Sequence, residues 1–218
     1  MTTTTIILVR HGETDWNREG RYQGKLDIPL NENGREQARR LALGLATLKL
    51  DAAYSSQLGR AVETANAVCN ERGLEVAKEP GFAEINHGQW EGKLSVEVEK
   101  TWPNELDAWR NFPHTVRMPD GEMLADVQVR AIAALMRVVE TNAGKTVLVA
   151  AHDATNKTLL CWASEARLSS FWRFKQDPTA VNCLEVTRKG EHLVPRIVLM
   201  NSVNHTGNLI SGIVHKAL

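Results

Sequence analysis

Residues 6–14 read Ile6-Ile7-Leu8-Val9-Arg10-His11-Gly12-Glu13-Thr14, an apolar, β-branched run that breaks off at an arginine and a histidine. About two thirds along the chain Val147-Leu148-Val149-Ala150-Ala151-His152 ends in the same way. Unbroken apolar runs of this length read as strands of a parallel sheet buried on both faces. In an open α/β sheet, ligands sit beyond the carboxyl ends of the strands. A lone histidine after a strand is more often a structural residue. Two imidazoles delivered to one sheet edge, with Arg10 beside one of them, describe instead a pocket for an anion that a histidine could attack.

Working outward, strand one spans about residues 5–10, and a polar loop carrying Asn17, Gly20, Gln23 and Gly24 follows before Pro29. Asn31 opens a helix with Leu41, Leu45 and Leu48 at helical spacing. A short strand over 51–55 feeds Ser56-Gln57-Leu58-Gly59-Arg60-Ala61, the start of a helix that stops at Gly73. A third strand near 74–78 leads to the polar loop Phe82 to Gly92. In the irregular stretch 94–121, Trp102, Leu106 and Trp109 share one helical face and pack a small cap onto the body rather than bind a ring-shaped ligand. A long helix over 122–142 precedes strand four at 145–151. Two late strands, about 180–187 and 192–200, flank the Lys189-Gly190 turn as an antiparallel edge. Residues 201–218 show no period. The expected architecture is α/β: a three-layer sandwich with a mostly parallel central sheet, helices on both faces, and a cap segment over the carboxyl edge, all in a single domain over 1–218.

Composition narrows the partners. The 218 residues are 43% hydrophobic, enough for one large core, and 26 basic side chains balance 26 acidic ones. No global field attracts nucleic acid or an anionic membrane, so attraction for an anion must be local. Cys69, Cys161 and Cys183 form no C-x-x-C pair and sit in apolar surroundings, which points to a reducing cytoplasm. The amino terminus reads as neither signal peptide nor anchor.

Phosphoryl transfer needs a nucleophile in line with the leaving oxygen, donors around the equatorial oxygens, and an acid for the departing alkoxide. His11 is the candidate nucleophile. Arg10, Arg60 and His152 are candidate holders of the phosphoryl oxygens, each guanidinium offering a planar fork of permanent donors. Glu84 is the candidate acid and later the base for water, which requires a pKa well above that of a solvated carboxyl. His11 must instead stay unprotonated on its attacking nitrogen. No H-E-x-x-H or two-metal carboxylate set is present, and no phosphate-binding glycine motif, so no metal or nucleotide cofactor is expected.

These residues resemble the histidine phosphatase superfamily, which includes the cofactor-dependent phosphoglycerate mutases. The resemblance covers nearly the whole chain and rests on Leu8 to Thr14, on Tyr54-Ser55-Ser56-Gln57-Leu58-Gly59-Arg60-Ala61-Val62-Glu63-Thr64-Ala65, and on Glu84 and His152 in the expected order. It implies that His11 becomes phosphorylated, that His152 is its partner, that Arg10 and Arg60 clamp phosphate, that Glu84 donates the proton, and that Asn17 also meets phosphate. The longer insertions and basic cap segment of the mutase branch are absent, and the short loop Glu84 to Gly92 favours a phosphatase. More narrowly, Arg21-Tyr22-Gln23-Gly24-Lys25-Leu26-Asp27, Glu84-Ile85-Asn86-His87-Gly88, Phe112-Pro113-His114 and the tail Val214-His215-Lys216-Ala217-Leu218 look like the metal-independent phosphoserine phosphatases of the superfamily. That likeness implies substrate contacts from His87, Gln23 and Gly24, and is compatible with a homodimer. Where the family has Ser-His-Gly, this chain has Ala151-His152-Asp153, and Met123 stands where serine is frequent. Asp153 is expected either to turn away and cap the next helix or to meet an ammonium or hydroxyl of the substrate.

The expected reaction is metal-independent hydrolysis of a small cytoplasmic phosphomonoester, phosphoserine first, through a phosphohistidine. A 2,3-bisphosphoglycerate-using mutase or another metabolite phosphatase is the enzymatic alternative, and an inactive phosphate-binding module the non-enzymatic one.

Overall fold

In the computed structural model, residues 2–190 and 192–208 are described. The chain builds a six-stranded sheet of order β3-β2-β4-β1-β5-β6. Its strands are β1 (Thr3–Arg10), β2 (Ala52–Ser55), β3 (Val76–Lys78), β4 (Thr146–Ala151), β5 (Val181–Lys189) and β6 (His192–Ser202). The pairings β1 to β4, β4 to β2 and β2 to β3 are parallel, while β5 and β6 add an antiparallel edge. The α/β architecture expected from the two apolar runs is therefore present.

The period of two in β1 explains why both of its faces are apolar. Ile6 and Leu8 pack with α6 (Leu124–Thr141) and α7 (Asp153–Ala163) on one side, through Leu135, Val138 and Leu160. Ile7 and Val9 pack on the other side with α2 (Glu32–Gly44) and α3 (Gly59–Cys69), through Leu41, Ala65 and Val68. Register then sets the site. Val9 lies opposite Ala150 and Arg10 opposite Ala151, so His11 and His152 leave neighbouring strands at the same level.

Several sequence expectations change in detail. Residues 15–19, read as polar loop, form a short helix α1 (Asp15–Glu19). Thr14 caps it reciprocally with Asn17, a pairing without the Glu or Gln that usually signals a capping box. Asn31 caps α2 as expected, accepting from Gly34 N–H at 2.8 Å, but the helix ends at Gly44, with Leu45 and Leu48 in the turns beyond it. The helix expected to run from 56 to Gly73 is α-helical only over Gly59–Cys69 and continues as one 3-10 turn to Arg72. The stretch 94–121 is more regular than expected, with α4 (Ser95–Thr101) and α5 (Pro103–Asn111). Leu106 and Trp109 are buried in a cluster with Tyr22, Trp90 and Phe171, and Trp102 packs against it. Asp153 is the first residue of α7 rather than its N-cap, which is His152, and its carboxylate pairs with Lys157 one turn on. The tail Val214 to Leu218 lies outside the described residues.

Candidate active site

The strand ends bring the two histidines together, with ring centroids 5.1 Å apart. Backbone bonds fix both sides of His11: its N–H donates to Ala151 O at 3.0 Å, and its carbonyl accepts from Thr179 N–H at 3.2 Å. The imidazole Nδ1 lies 2.7 Å from the carbonyl oxygen of Gly12. A carbonyl only accepts, so Nδ1 carries the proton and Nε2 is left with a lone pair. Burial, then Arg60, then Arg10 hold the His11 pKa well below the usual imidazole range, which keeps that lone pair free. Burial and Arg60 likewise depress His152, whose Nε2 is 2.6 Å from Ser56 Oγ.

Two guanidiniums border the pair. Arg10 Nη1 donates to Gln176 O at 2.6 Å. Arg60, fully buried near the start of α3, donates to Gly24 O at 2.7 Å and to Leu26 O at 2.9 Å. With its amide oriented to suit both neighbours, Gln23 accepts from Arg60 Nε at 3.0 Å and donates to Thr14 Oγ at 2.7 Å. Burial lowers the Arg60 pKa to about 10, with the nearby Glu84 carboxylate acting against that shift. The guanidinium therefore stays charged at neutral pH.

Glu84 enters from the loop after β3. One oxygen accepts from Ile85 N–H at 2.9 Å and from Ala154 N–H at 3.1 Å. Burial, reinforced by Asp153, raises its pKa to about 7, although the Ile85 N–H bond, Arg60 and Arg10 favour the charged form. Its loop is strapped from behind by Arg130, which donates to Gly81 O, Ala83 O and Glu84 O and pairs with Glu122.

Arg10, His11, Asn17, Gln23, Glu84 and His87 all line one cavity, together with Asp153, Arg21, Trp109 and Trp172. Arg60 and His152 do not line the cavity; both are completely buried, Arg60 bonded to Gln23 and His152 against the His11 ring. Gly24 does not line it; its carbonyl holds Arg60, and a Cβ there would run into the Glu91 carboxylate and Ile85 O. His87 stacks with Trp90, and burial lowers its pKa to about 4, so it is neutral in the wall. Ser56, Arg130 and Lys157 were not singled out from sequence as site residues. Ser56 meets His152 across 96 positions and Arg130 reaches Glu84 across 46, distances at which no local pattern reports a contact.

The family model of the histidine phosphatase superfamily (branch 1) matches residues 6–198. The chain is 36% identical to phosphoserine phosphatase 1 of Hydrogenobacter thermophilus over 98% of its own length and 99% of that protein's. Proteins with phosphoglycerate mutase names match over a smaller share, 67% to 72% of the chain. Among solved structures, YhfR of Bacillus stearothermophilus superposes with a TM-score of 0.86 at 35% identity, covering 93% of this chain and 98% of that one. A phosphoserine phosphatase mutant of Entamoeba histolytica, solved with phosphoserine, does so with a TM-score of 0.81 at 28% identity, covering 93% and 98%. This chain belongs to the histidine phosphatase superfamily. The enzyme class read from its sequence, a phosphoric monoester hydrolase, is that of its nearly full-length relative.

Proposed function

We propose that the chain is a phosphatase that hydrolyses a small phosphomonoester, phosphoserine being the first candidate, through a phosphohistidine at His11 and without a metal ion. The observation that carries this reading is the Nδ1 bond of His11 to Gly12, which leaves Nε2 an unprotonated nucleophile in the field of two buried guanidiniums, Arg60 and Arg10.

In the first step Nε2 attacks phosphorus, the P–O ester bond breaks, and Glu84 gives its proton to the departing alkoxide. Arg10 and Arg60, with His152 and Asn17, neutralise and orient the equatorial oxygens as charge spreads over them. In the second step Glu84, now a carboxylate, takes a proton from water as its oxygen attacks phosphorus. The N–P bond breaks, inorganic phosphate leaves, and Nε2 regains its lone pair. A Glu84 pKa of about 7 suits both halves, since the group must give and then take a proton near neutrality. The fixed guanidiniums supply the positive charge for which other phosphatases use cations, which supports turnover without metal.

The reading treats residues 1–218 as one domain with 94–121 as its cap. It includes a cytoplasmic location, where the free thiols of Cys69, Cys161 and Cys183 persist, and a homodimer on the strength of the subgroup resemblance.

The test is rapid quenching with 32P-labelled phosphoserine in excess chelator. Acid-labile, base-stable label on His11 and steady release of inorganic phosphate are expected, with inhibition by vanadate. Normal turnover by His11→Ala would overturn the reading. Conversion of 3-phosphoglycerate to its isomer, in place of phosphate release, would mark a mutase.

A further inference from the structure

Asp153 places a carboxylate on the wall of a cavity whose Arg10 draws an anion. Lys157 and Arg10 offset part of its charge, yet the carboxylate still raises the neighbouring Glu84 pKa, so it opposes a phosphate dianion and favours a cation on the substrate. Its two oxygens are held differently. Oδ2 is 2.8 Å from Lys157 Nζ, one turn along α7, and Oδ1 faces Arg10 Nη1 at 3.6 Å.

The Lys157 side chain is only 3% exposed, and its ammonium sits 5.0 Å from the Phe171 ring centre and 4.7 Å from that of Trp172. It is shut away from the cavity as a fixed counter-charge. A buried lysine is costly unless paired, and the pair holds the Asp153 carboxylate in one orientation. Asp153 itself is 20% exposed and shares the cavity wall with Trp109, Phe171 and Trp172, the last two being the rings that hold the Lys157 ammonium.

We propose that Asp153, fixed by Lys157, accepts a substrate ammonium, so that the cavity selects phosphomonoesters of amino alcohols. The phosphoryl group lies against Arg10 and Arg60 while the ammonium, two carbons from the ester oxygen, reaches Asp153. Esters whose leaving group carries only a carboxylate meet Asp153 as a like charge. This inference rests on the phosphatase reading and narrows its substrate class.

The test compares the intact protein with Asp153→Asn on two ammonium-bearing esters, O-phosphoserine and phosphoethanolamine, and two without ammonium, 3-phosphoglycerate and para-nitrophenyl phosphate. The ratio of kcat/KM between the two classes is expected to fall about tenfold or more, through KM. A ratio unchanged within about twofold overturns the inference and leaves the phosphatase reading standing. Asp153→Asn strands a buried lysine, so Asp153→Asn/Lys157→Met is run alongside, and the same fall is expected. Calorimetry on His11→Ala reads binding without turnover. There phosphoethanolamine should bind more tightly than ethyl phosphate, and the preference should vanish when Asp153→Asn is added. Equal binding of the two esters overturns the inference, whereas failure to hydrolyse any of the four esters overturns only the phosphatase reading.

Discussion

Glu84 accepts the backbone N–H of Ala154 at 3.1 Å, which ties the carboxyl of the β3 loop to the first turn of α7, one residue past Asp153. Two carboxylates therefore share one helix terminus. The helix end favours negative charge, and burial opposes it. For Glu84 burial wins, with Asp153 adding to it, and the proton stays on to about pH 7.

The pH profile follows with a definite sign. As the proton donor, Glu84 works below its pKa, so kcat/KM for an alkyl phosphate should fall as pH rises through about 7. Asp153→Asn removes the neighbouring negative charge and should move that limb to lower pH. Glu84→Gln should lose on the order of 10²- to 10⁴-fold on phosphoserine and far less on para-nitrophenyl phosphate, whose leaving group needs little protonation. Equal losses on both esters would contradict the acid role.

Stability should respond in the matching direction. The folded pKa of about 7 exceeds the ordinary value of 4.5, so the folded state holds this proton more tightly than the unfolded one. The cost of burying Glu84 is therefore absent below pH 4.5 and complete above about 7, on the order of 3 kcal/mol. Glu84→Gln should raise Tm at pH 8 and change it little at pH 4.5, as differential scanning calorimetry would show.

Arg60 is both a site charge and a structural bolt. Its guanidinium satisfies the carbonyls of Gly24 and Leu26 and bonds Gln23. Arg60→Lys keeps one charge but loses the fork, leaving buried acceptors unmet at about 1–3 kcal/mol each. A lower urea midpoint and a fall in kcat/KM of about 100-fold or more are expected together. Activity loss with unchanged stability would show that the lysine reaches the same carbonyls.

The parts legible in sequence were those whose physics is local. Ile6 to Val9 and Val147 to Ala151 announced buried strands, and a residue leaving such a strand must emerge at its carboxyl end, which placed His11 and His152 together. Asn31 signalled a helix start through its own side chain. Asp153 did not behave so: His152 takes the N-cap position, Asp153 is the first residue inside the helix, and its carboxylate pairs with Lys157 four residues on. The helix α1 was invisible because Asn17, not an acidic residue, completes its capping box. Arg130 carried no signal, since its partners, three loop carbonyls and the Glu122 carboxylate, are brought to it by the fold.

That strap makes its own prediction. Arg130 donates to three loop carbonyls within four residues, those of Gly81, Ala83 and Glu84, and to Glu122, which in turn accepts Asn86 N–H at 2.8 Å. Arg130→Met should loosen the Glu84 loop, lowering kcat with little change in KM and flattening the alkaline limb of the pH profile. A KM effect alone would place Arg130 in substrate binding instead.

The His11 loop rests directly on the first turn of α2, and glycine is what permits it. A Cβ on Gly34 would collide with the Glu13 carbonyl oxygen, and one on Gly12 would lie 2.5 Å from Gly34 O. Both obstacles are backbone and cannot swing aside. Gly34→Ala must push α2 away from residues 12–14 and carry His11 with them, so a stability loss of about 1–3 kcal/mol should come with a fall in kcat. Gly73 is the contrasting case, with φ at +63° and nothing near its missing Cβ. Gly73→Ala carries only left-handed strain, about 1–2 kcal/mol, far from the chemistry, and should leave kcat unchanged. Denaturant midpoints and kcat measured on both variants separate a loop packed on its helix from one merely destabilised by losing glycine.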